Sequence, residues 1–114
     1  MNMMNESISR RTLFIDFDLY ADNDPDFKLE LIQLMIENLE ELQQAFILSV
    51  RQNDLQIFIK ACHKVKTTLC MLADGELDAI VEDLKVPGIN PEKVSLFNKL
   101  NVEIINSLSA EKSH

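Results

Sequence analysis

Apolar residues in this chain recur at intervals of three and four over long stretches, which is the spacing of a core-facing helical stripe. The clearest stretch lies between positions 55 and 73. Its apolar positions are Leu55, Phe58, Cys62, Val65, Leu69 and Leu72. The pattern predicts a helix from Asp54 to about Leu72 with one buried face.

Capping signals predict a long helix before this one. Asp24 is followed by Pro25, an acidic N-cap before a proline at the first helical position, where its missing N–H costs nothing. A helix from Pro25 to about Arg51 follows, with an apolar arc on one side and glutamates and glutamines on the other. Asn53 tolerates left-handed geometry, so we expect a short turn there.

Two shorter segments complete the predicted helices. Asp74 begins a third helix, which Pro87 ends. Asn90 and Pro91 repeat the cap-plus-proline signal and predict a fourth helix over about 91–109.

Short connections make successive helices antiparallel, so the expected fold is all-α, an up-down-up-down four-helix bundle over residues 24–110. Residues 1–23 are a separate N-terminal segment. Within it, large apolar residues occupy alternate positions: Leu13, Ile15, Phe17 and Leu19. This alternation is typical of a strand, but a lone strand would have no partner here. We expect an irregular or short helical segment that packs on the bundle, and a tail at residues 111–114.

Composition narrows the class of protein. The chain has 114 residues and a net charge of -8, enough for one domain and one core. The acidic balance disfavours nucleic acids and anionic membranes as partners. Without an apolar run near the roughly 20 residues of a membrane span, or a secretion signal, we expect a cytoplasmic protein. The polar outer arcs of the helices favour a monomer.

The two cysteines do not suggest a disulfide or a metal site. Cys62 and Cys70 lie about 12 Å apart along one predicted helix, beyond the roughly 7 Å between Cα atoms that a disulfide allows. Cys62 faces the core while His63 turns away, and no further ligand stands at a familiar spacing. We therefore predict reduced thiols and no bound metal.

His63 is the candidate reactive residue. It lies about 100° round the helix from Cys62, so it should reach solvent. Residues 55–73 contain three lysines and no acidic residue in an otherwise acidic chain. Neutral imidazole is a nucleophile near pH 7, and a phosphoryl group on its ring nitrogen needs a nearby cation, which Lys66 can supply. The alternative is an ordinary surface histidine.

The chain resembles histidine-containing phosphotransfer (HPt) domains, the intermediates of multistep two-component phosphorelays. The likeness covers most of the chain and rests on the order and length of the helices and on two motifs. These are 24–27, Asp-Pro-Asp-Phe, which opens the first long helix, and 61–66, Ala-Cys-His-Lys-Val-Lys, which is similar to the family's Ala-x-His-x-x-Lys core.

The resemblance implies that His63 accepts a phosphoryl group from the aspartate of a receiver domain and passes it to another receiver, and that Lys66 stabilises the phosphate. Lys60 and Thr67 are possible supports. Thr67 stands where many family members have glycine, so its hydroxyl can bond the phosphate or its methyl can crowd a receiver. The implied partners are response-regulator receiver domains and a hybrid sensor histidine kinase.

The implied protein is a phosphocarrier and not an enzyme, since nothing in the chain resembles an ATP-binding catalytic domain. It needs no cofactor of its own, and magnesium would belong to the partner receiver domain. Docking would use apolar side chains near the histidine, for which Ile59, Cys70, Ile32 and Ile36 are candidates, although each could instead belong to the core. The alternative function is a four-helix protein-interaction module without phosphotransfer activity.

Overall fold

The computed structural model describes residues 9–112, and every regular element among them is an α-helix. In chain order the helices are α1 (Phe17–Tyr20), α2 (Pro25–Gln52), α3 (Leu55–Lys64), α4 (Lys66–Leu72), α5 (Gly75–Asp83) and α6 (Pro91–Glu111). The all-α class is therefore confirmed. The structure has six helices in this range. The short helix α1 lies in the N-terminal segment and is one of the two forms expected for it. The predicted single helix from Asp54 to about Leu72 is wrong, because the structure divides it into α3 and α4.

The predicted capping residues are confirmed. The Asp24 side chain accepts hydrogen bonds from the backbone N–H groups of Asp26 and Phe27, at 3.0 and 3.3 Å, and so caps α2. Asn53 ends α2 with a left-handed φ of 51°, and the Asp54 side chain then caps α3. One asparagine thus reverses the chain between the two helices, since asparagine adopts this geometry at low cost.

The interruption between α3 and α4 is a single residue, Val65. Its φ of -97° and ψ of 15° depart from helical values. Val65, Thr67 and Thr68 are all β-branched, which lowers the local helix propensity. After the break, the Asn38 side chain of α2 donates a hydrogen bond of 2.7 Å to the buried hydroxyl of Thr68. This bond ties α4 to α2.

Three aromatic rings form the centre of the core. Phe46 of α2, Phe58 of α3 and Phe97 of α6 lie with their ring centroids 5.2–5.8 Å apart, in edge-on and tilted arrangements. Phe58 and Phe97 are fully buried. Aromatic packing of this kind stabilises the fold by more than the burial of apolar area alone. It also fixes the rotation of α3 about its own axis relative to the neighbouring helices.

The longest helix, α2, packs against α1, α3 and α6, and α6 also packs against α5. Because three helices cover α2, its apolar arc is buried over a wide angle. No helix among residues 9–112 combines the length and the apolar character that a membrane span requires.

Residues 9–16 have no regular secondary structure and lie against α6 and the core. The Ser9 carbonyl accepts a hydrogen bond from the Asn106 side chain. The Arg11 backbone N–H donates to the Ser107 hydroxyl, which in turn donates to the Arg11 carbonyl, both at 2.7 Å. Leu13 and Ile15 then pack against the core as half-buried residues, and Phe17 is buried within it.

At the other end of the chain, α6 continues to Glu111, two residues beyond the predicted end at 109. The predicted tail at 111–114 therefore begins within the helix, and its last two residues lie outside the described range. Residues 1–8 of the predicted N-terminal segment also lie outside the described range.

The Arg11 guanidinium joins the N-terminal segment to two helices. It forms two hydrogen bonds with the Asp74 carboxylate, at 2.9 and 3.2 Å, and one with Glu76 at 2.9 Å; Glu103 of α6 lies 3.6 Å away. Asp74 also caps α5 by accepting from the Leu77 N–H. Burial alone would raise the pKa of Asp74, but the hydrogen bonds from Arg11 and Leu77 outweigh it and hold the pKa below its usual value.

We expect Arg11→Ala to lower the free energy of unfolding by about 1–3 kcal/mol at pH 7, because Asp74 loses charged hydrogen bonds. The difference from the unsubstituted protein should shrink as the pH is lowered. The folded-state pKa of Asp74 is below the unfolded value, so its contribution is complete above about pH 4 and is lost as the pH falls through the folded pKa. Urea unfolding at several pH values measures this.

Arg10→Ala is the matched control, because Arg10 is exposed and adjacent in sequence. Equal losses of stability in the two variants would contradict the role assigned to the Arg11 guanidinium.

Candidate functional site

His63 lies near the C-terminal end of α3 and is exposed. Its orientation follows from the residues on either side of it along the helix. Phe58 and Cys62 are buried, and the next residue in a helix lies about 100° away from its predecessor. Burial of the apolar stripe therefore turns the imidazole toward solvent, as the sequence predicted.

The imidazole opens onto a shallow groove of about 390 Å³ between α3 and α4 on one side and α5 on the other. Lys66, Ile59 and Cys70 line this groove together with His63. Lys66 and Cys70 are exposed and Ile59 is half-buried. Although Val65 interrupts the helix, the histidine and the lysine three residues later still face one space.

Three charged residues from the α5 region complete the lining: Asp78, Glu82 and Lys85. Lys85 lies just beyond the end of α5, and its ammonium group is 2.7 Å from a Glu82 carboxylate oxygen. The groove thus contains two cations, from Lys66 and Lys85, and two carboxylates. The sequence of α3 and α4 indicated only positive charge here, and the structure corrects that view.

Asp78, on the α5 side of the groove, has two other carboxylates nearby. Burial raises the pKa of Asp78, and the negative charges of Asp74 and Glu82 raise it further. Asp78 thus lies in a negative environment, one helical turn after the carboxylate that Arg11 holds. A dianion placed at His63 would be attracted by the two lysines and repelled by these carboxylates.

The remaining predicted basic and polar residues lie nearby without lining the groove. Lys60 and Thr67 are exposed. Lys64 points elsewhere and forms an ion pair of 2.8 Å with Glu41 of α2. Of the three lysines on this stretch, Lys66 is the one that shares the groove with His63.

Two of the proposed docking residues are not available to a partner. Ile32 is fully buried and Ile36 is 6% exposed, and both belong to the core. Their assignment to a docking surface is wrong, because the packing of α2 in the helical core buries both side chains. Ile59 and Cys70 remain as the apolar candidates beside His63.

The two cysteines are free thiols that differ in their surroundings. Cys70 is exposed, whereas Cys62 is 4% exposed and burial raises its pKa to about 11. Within residues 9–112, no group of three or more His, Cys, Asp or Glu side chains is arranged to hold a metal ion.

Sequence reasoning missed the three charged residues of the α5 region. Asp78, Glu82 and Lys85 are spaced by four and three, so they share a face at the edge of the apolar stripe of α5. That spacing could have identified them as one cluster. Their position opposite His63 required the tertiary structure.

Comparison with protein-family models, curated proteins and solved structures finds no match to this chain.

We expect the two thiols to differ sharply in reactivity toward iodoacetamide at pH 8. Cys70 should alkylate readily, while Cys62 should react at least about a hundredfold more slowly, because a thiolate is required and the Cys62 pKa is raised by burial. Mass spectrometry of peptides after timed alkylation measures both rates. A Cys70→Ser variant leaves Cys62 as the one thiol in the chain, and this thiol should become reactive in denaturant. Rapid alkylation of Cys62 in the folded chain would contradict its burial on the α3 side of the groove.

Proposed function

We propose that this protein is a phosphorelay intermediate of two-component signal transduction, in which His63 accepts a phosphoryl group from a receiver-domain aspartate and passes it to another receiver. The observation that carries the proposal is that His63, which is exposed, lines one open groove together with Lys66. A phosphoryl group on a carrier must be reachable by two different proteins in turn. A shallow groove on the surface suits that requirement better than an enclosed pocket.

In the transfer step, the lone pair of the unprotonated ring nitrogen of His63 attacks the phosphorus of an aspartyl phosphate. The N–P bond forms as the bond between phosphorus and the carboxyl oxygen breaks, and the receiver's aspartate leaves with the electron pair as a carboxylate. The ring keeps its other N–H proton. Transfer to a second receiver is the same step in reverse, with a new aspartate as the nucleophile.

Each neighbouring side chain has a proposed role. Lys66 balances the charge of the phosphoryl group, which carries about two negative charges. Lys60 and Thr67 are exposed supports close to it in sequence, and they would act on a bound phosphate only by reaching over the rim of the groove. Ile59 and Cys70 offer apolar contact area to a receiver domain.

The proposed architecture is the up-down-up-down bundle of HPt domains over residues 24–110. In this arrangement α2, α5 and α6 are three of the helices, and α3 with α4 forms the interrupted fourth. Short connections at Asn53 and Ala73 support it, because both residues adopt left-handed φ values that reverse the chain.

The proposed partners are response-regulator receiver domains and a hybrid sensor histidine kinase, in the cytoplasm. The protein would act as a monomeric carrier and not as an enzyme, with magnesium bound by the partner receiver domain. The net charge of -8 supports protein partners over nucleic acid or an anionic membrane.

A second function is a non-catalytic interaction module, and one observation favours it. Asp78 and Glu82 place two carboxylates in the groove, where they would repel a phosphoryl group. In that case the same surface would bind a protein partner through Ile59 and Cys70 and leave His63 unmodified. Phosphotransfer assays separate the two functions.

The direct test uses a receiver domain labelled with radioactive phosphate on its aspartate. We expect the protein to acquire label that is stable in alkali and labile in acid, as a phosphorus–nitrogen bond is. A His63→Gln variant, which keeps a polar side chain of similar size, should acquire none. Label retained by this variant would assign the phosphate to another residue.

The second test concerns Lys66. We expect Lys66→Ala to slow transfer or shorten the lifetime of the phosphorylated form by about three- to tenfold, because a nearby positive charge is lost. The fold should be unaffected, since an exposed lysine contributes little to stability. Lys64→Ala is the matched control, because Lys64 pairs with Glu41 outside the groove. A similar effect of both variants would argue against a specific role for Lys66.

A further inference from the structure

A charged pair, Glu82 and Lys85, lies on the α5 side of the groove that contains His63. Lys85 and Glu82 contact each other across 2.7 Å, with the lysine side chain 31% and the glutamate 69% exposed. Both charges act on Cys62, the residue next to His63: Lys85 lowers the pKa of that thiol and Glu82 raises it. The shared groove therefore places the pair on the same surface as His63.

We propose that Glu82 and Lys85 form an exchangeable ion pair that sets how long His63 keeps its phosphoryl group. When His63 is phosphorylated, Lys85 turns from Glu82 to the phosphoryl oxygens, and Glu82 is left as a negative charge facing them. The inference rests on the proposed function and assigns two further residues to its site. Both are positioning residues that act through charge, without taking part in bond formation.

Three features make the exchange favourable. Exposed ion pairs such as this one are weak, so little is lost when it separates. A phosphoryl group carries about twice the charge of a carboxylate and offers three acceptor oxygens. Lys85 lies beyond the last residue of α5, in a turn, and its four-carbon side chain can reorient without moving the helix.

Glu82 has the opposite effect from Lys85 in this arrangement. It competes for Lys85 before phosphorylation and repels the phosphoryl group afterwards, and Asp78 adds to the repulsion from the same wall. A carrier must release its phosphate to the next receiver, and these carboxylates weaken its retention. The groove would thus balance attraction by two lysines against repulsion by two acids.

The test uses the full chain and a small phosphoryl donor, so it does not depend on finding the natural partner. Phosphoramidate in its zwitterionic form transfers its phosphoryl group to the ring nitrogen of histidine as its own P–N bond breaks and ammonia leaves with the electron pair. After removal of the donor, phosphorus NMR follows the loss of phosphohistidine at pH 8. His63→Gln establishes which signal belongs to His63.

We expect Glu82→Gln to lengthen the lifetime of the phosphorylated form by about threefold and Lys85→Ala to shorten it by about threefold, as expected for charges at a partly exposed site. The matched controls are Asp83→Asn and Lys93→Ala. They remove the same kinds of charge from the neighbouring pair, which is 3.4 Å apart and outside the groove. Both controls should leave the lifetime unchanged.

Opposite effects of the two substitutions would support charge exchange, because a purely structural role would shift both lifetimes in one direction. Lifetimes that match the controls, or that change in the same direction, would overturn the inference, as would a failure of phosphoramidate to modify His63. If phosphoramidate modifies His63 but no receiver domain exchanges phosphate with it, the proposed function fails separately while the charge pair can still be judged.

Discussion

Burial of the aromatic centre is the constraint on which the rest of this structure depends. Phe46, Phe58 and Phe97 come from three different helices and meet within 5.8 Å of one another. Once Phe58 occupies that centre, the rotation of α3 is fixed, because turning the helix would expose a large ring to water. His63 is turned outward as a consequence of this packing.

The N-terminal segment contributes to the site from a distance. Arg11 contacts Asp74, 63 residues away in sequence, and the same carboxylate caps α5. Because α5 forms the wall opposite His63, the contacts of residues 9–16 help to fix where Asp78 and Glu82 lie. A segment with little secondary structure of its own thereby supports the electrostatics of a groove that it does not line.

The mixed charge of that groove distinguishes it from a simple anion-binding site. A purely basic surface would hold a phosphoryl group strongly, whereas a groove lined by two cations and two carboxylates would hold it more weakly. Weak retention suits a carrier, which has to give up its cargo to a second partner. The same balance would also suit a protein-interaction surface, and the reactivity of His63 distinguishes the two functions.

The sequence by itself determined the local structure: the caps at Asp24, Asp54 and Asn90, the apolar stripes, and the outward direction of His63. These follow from interactions between residues close in sequence, so periodicity and capping chemistry suffice to predict them. Only the tertiary structure decided that Ile32 and Ile36 are buried and that acids face the histidine. Each of these depends on which helices meet, and such contacts join residues that no local pattern relates.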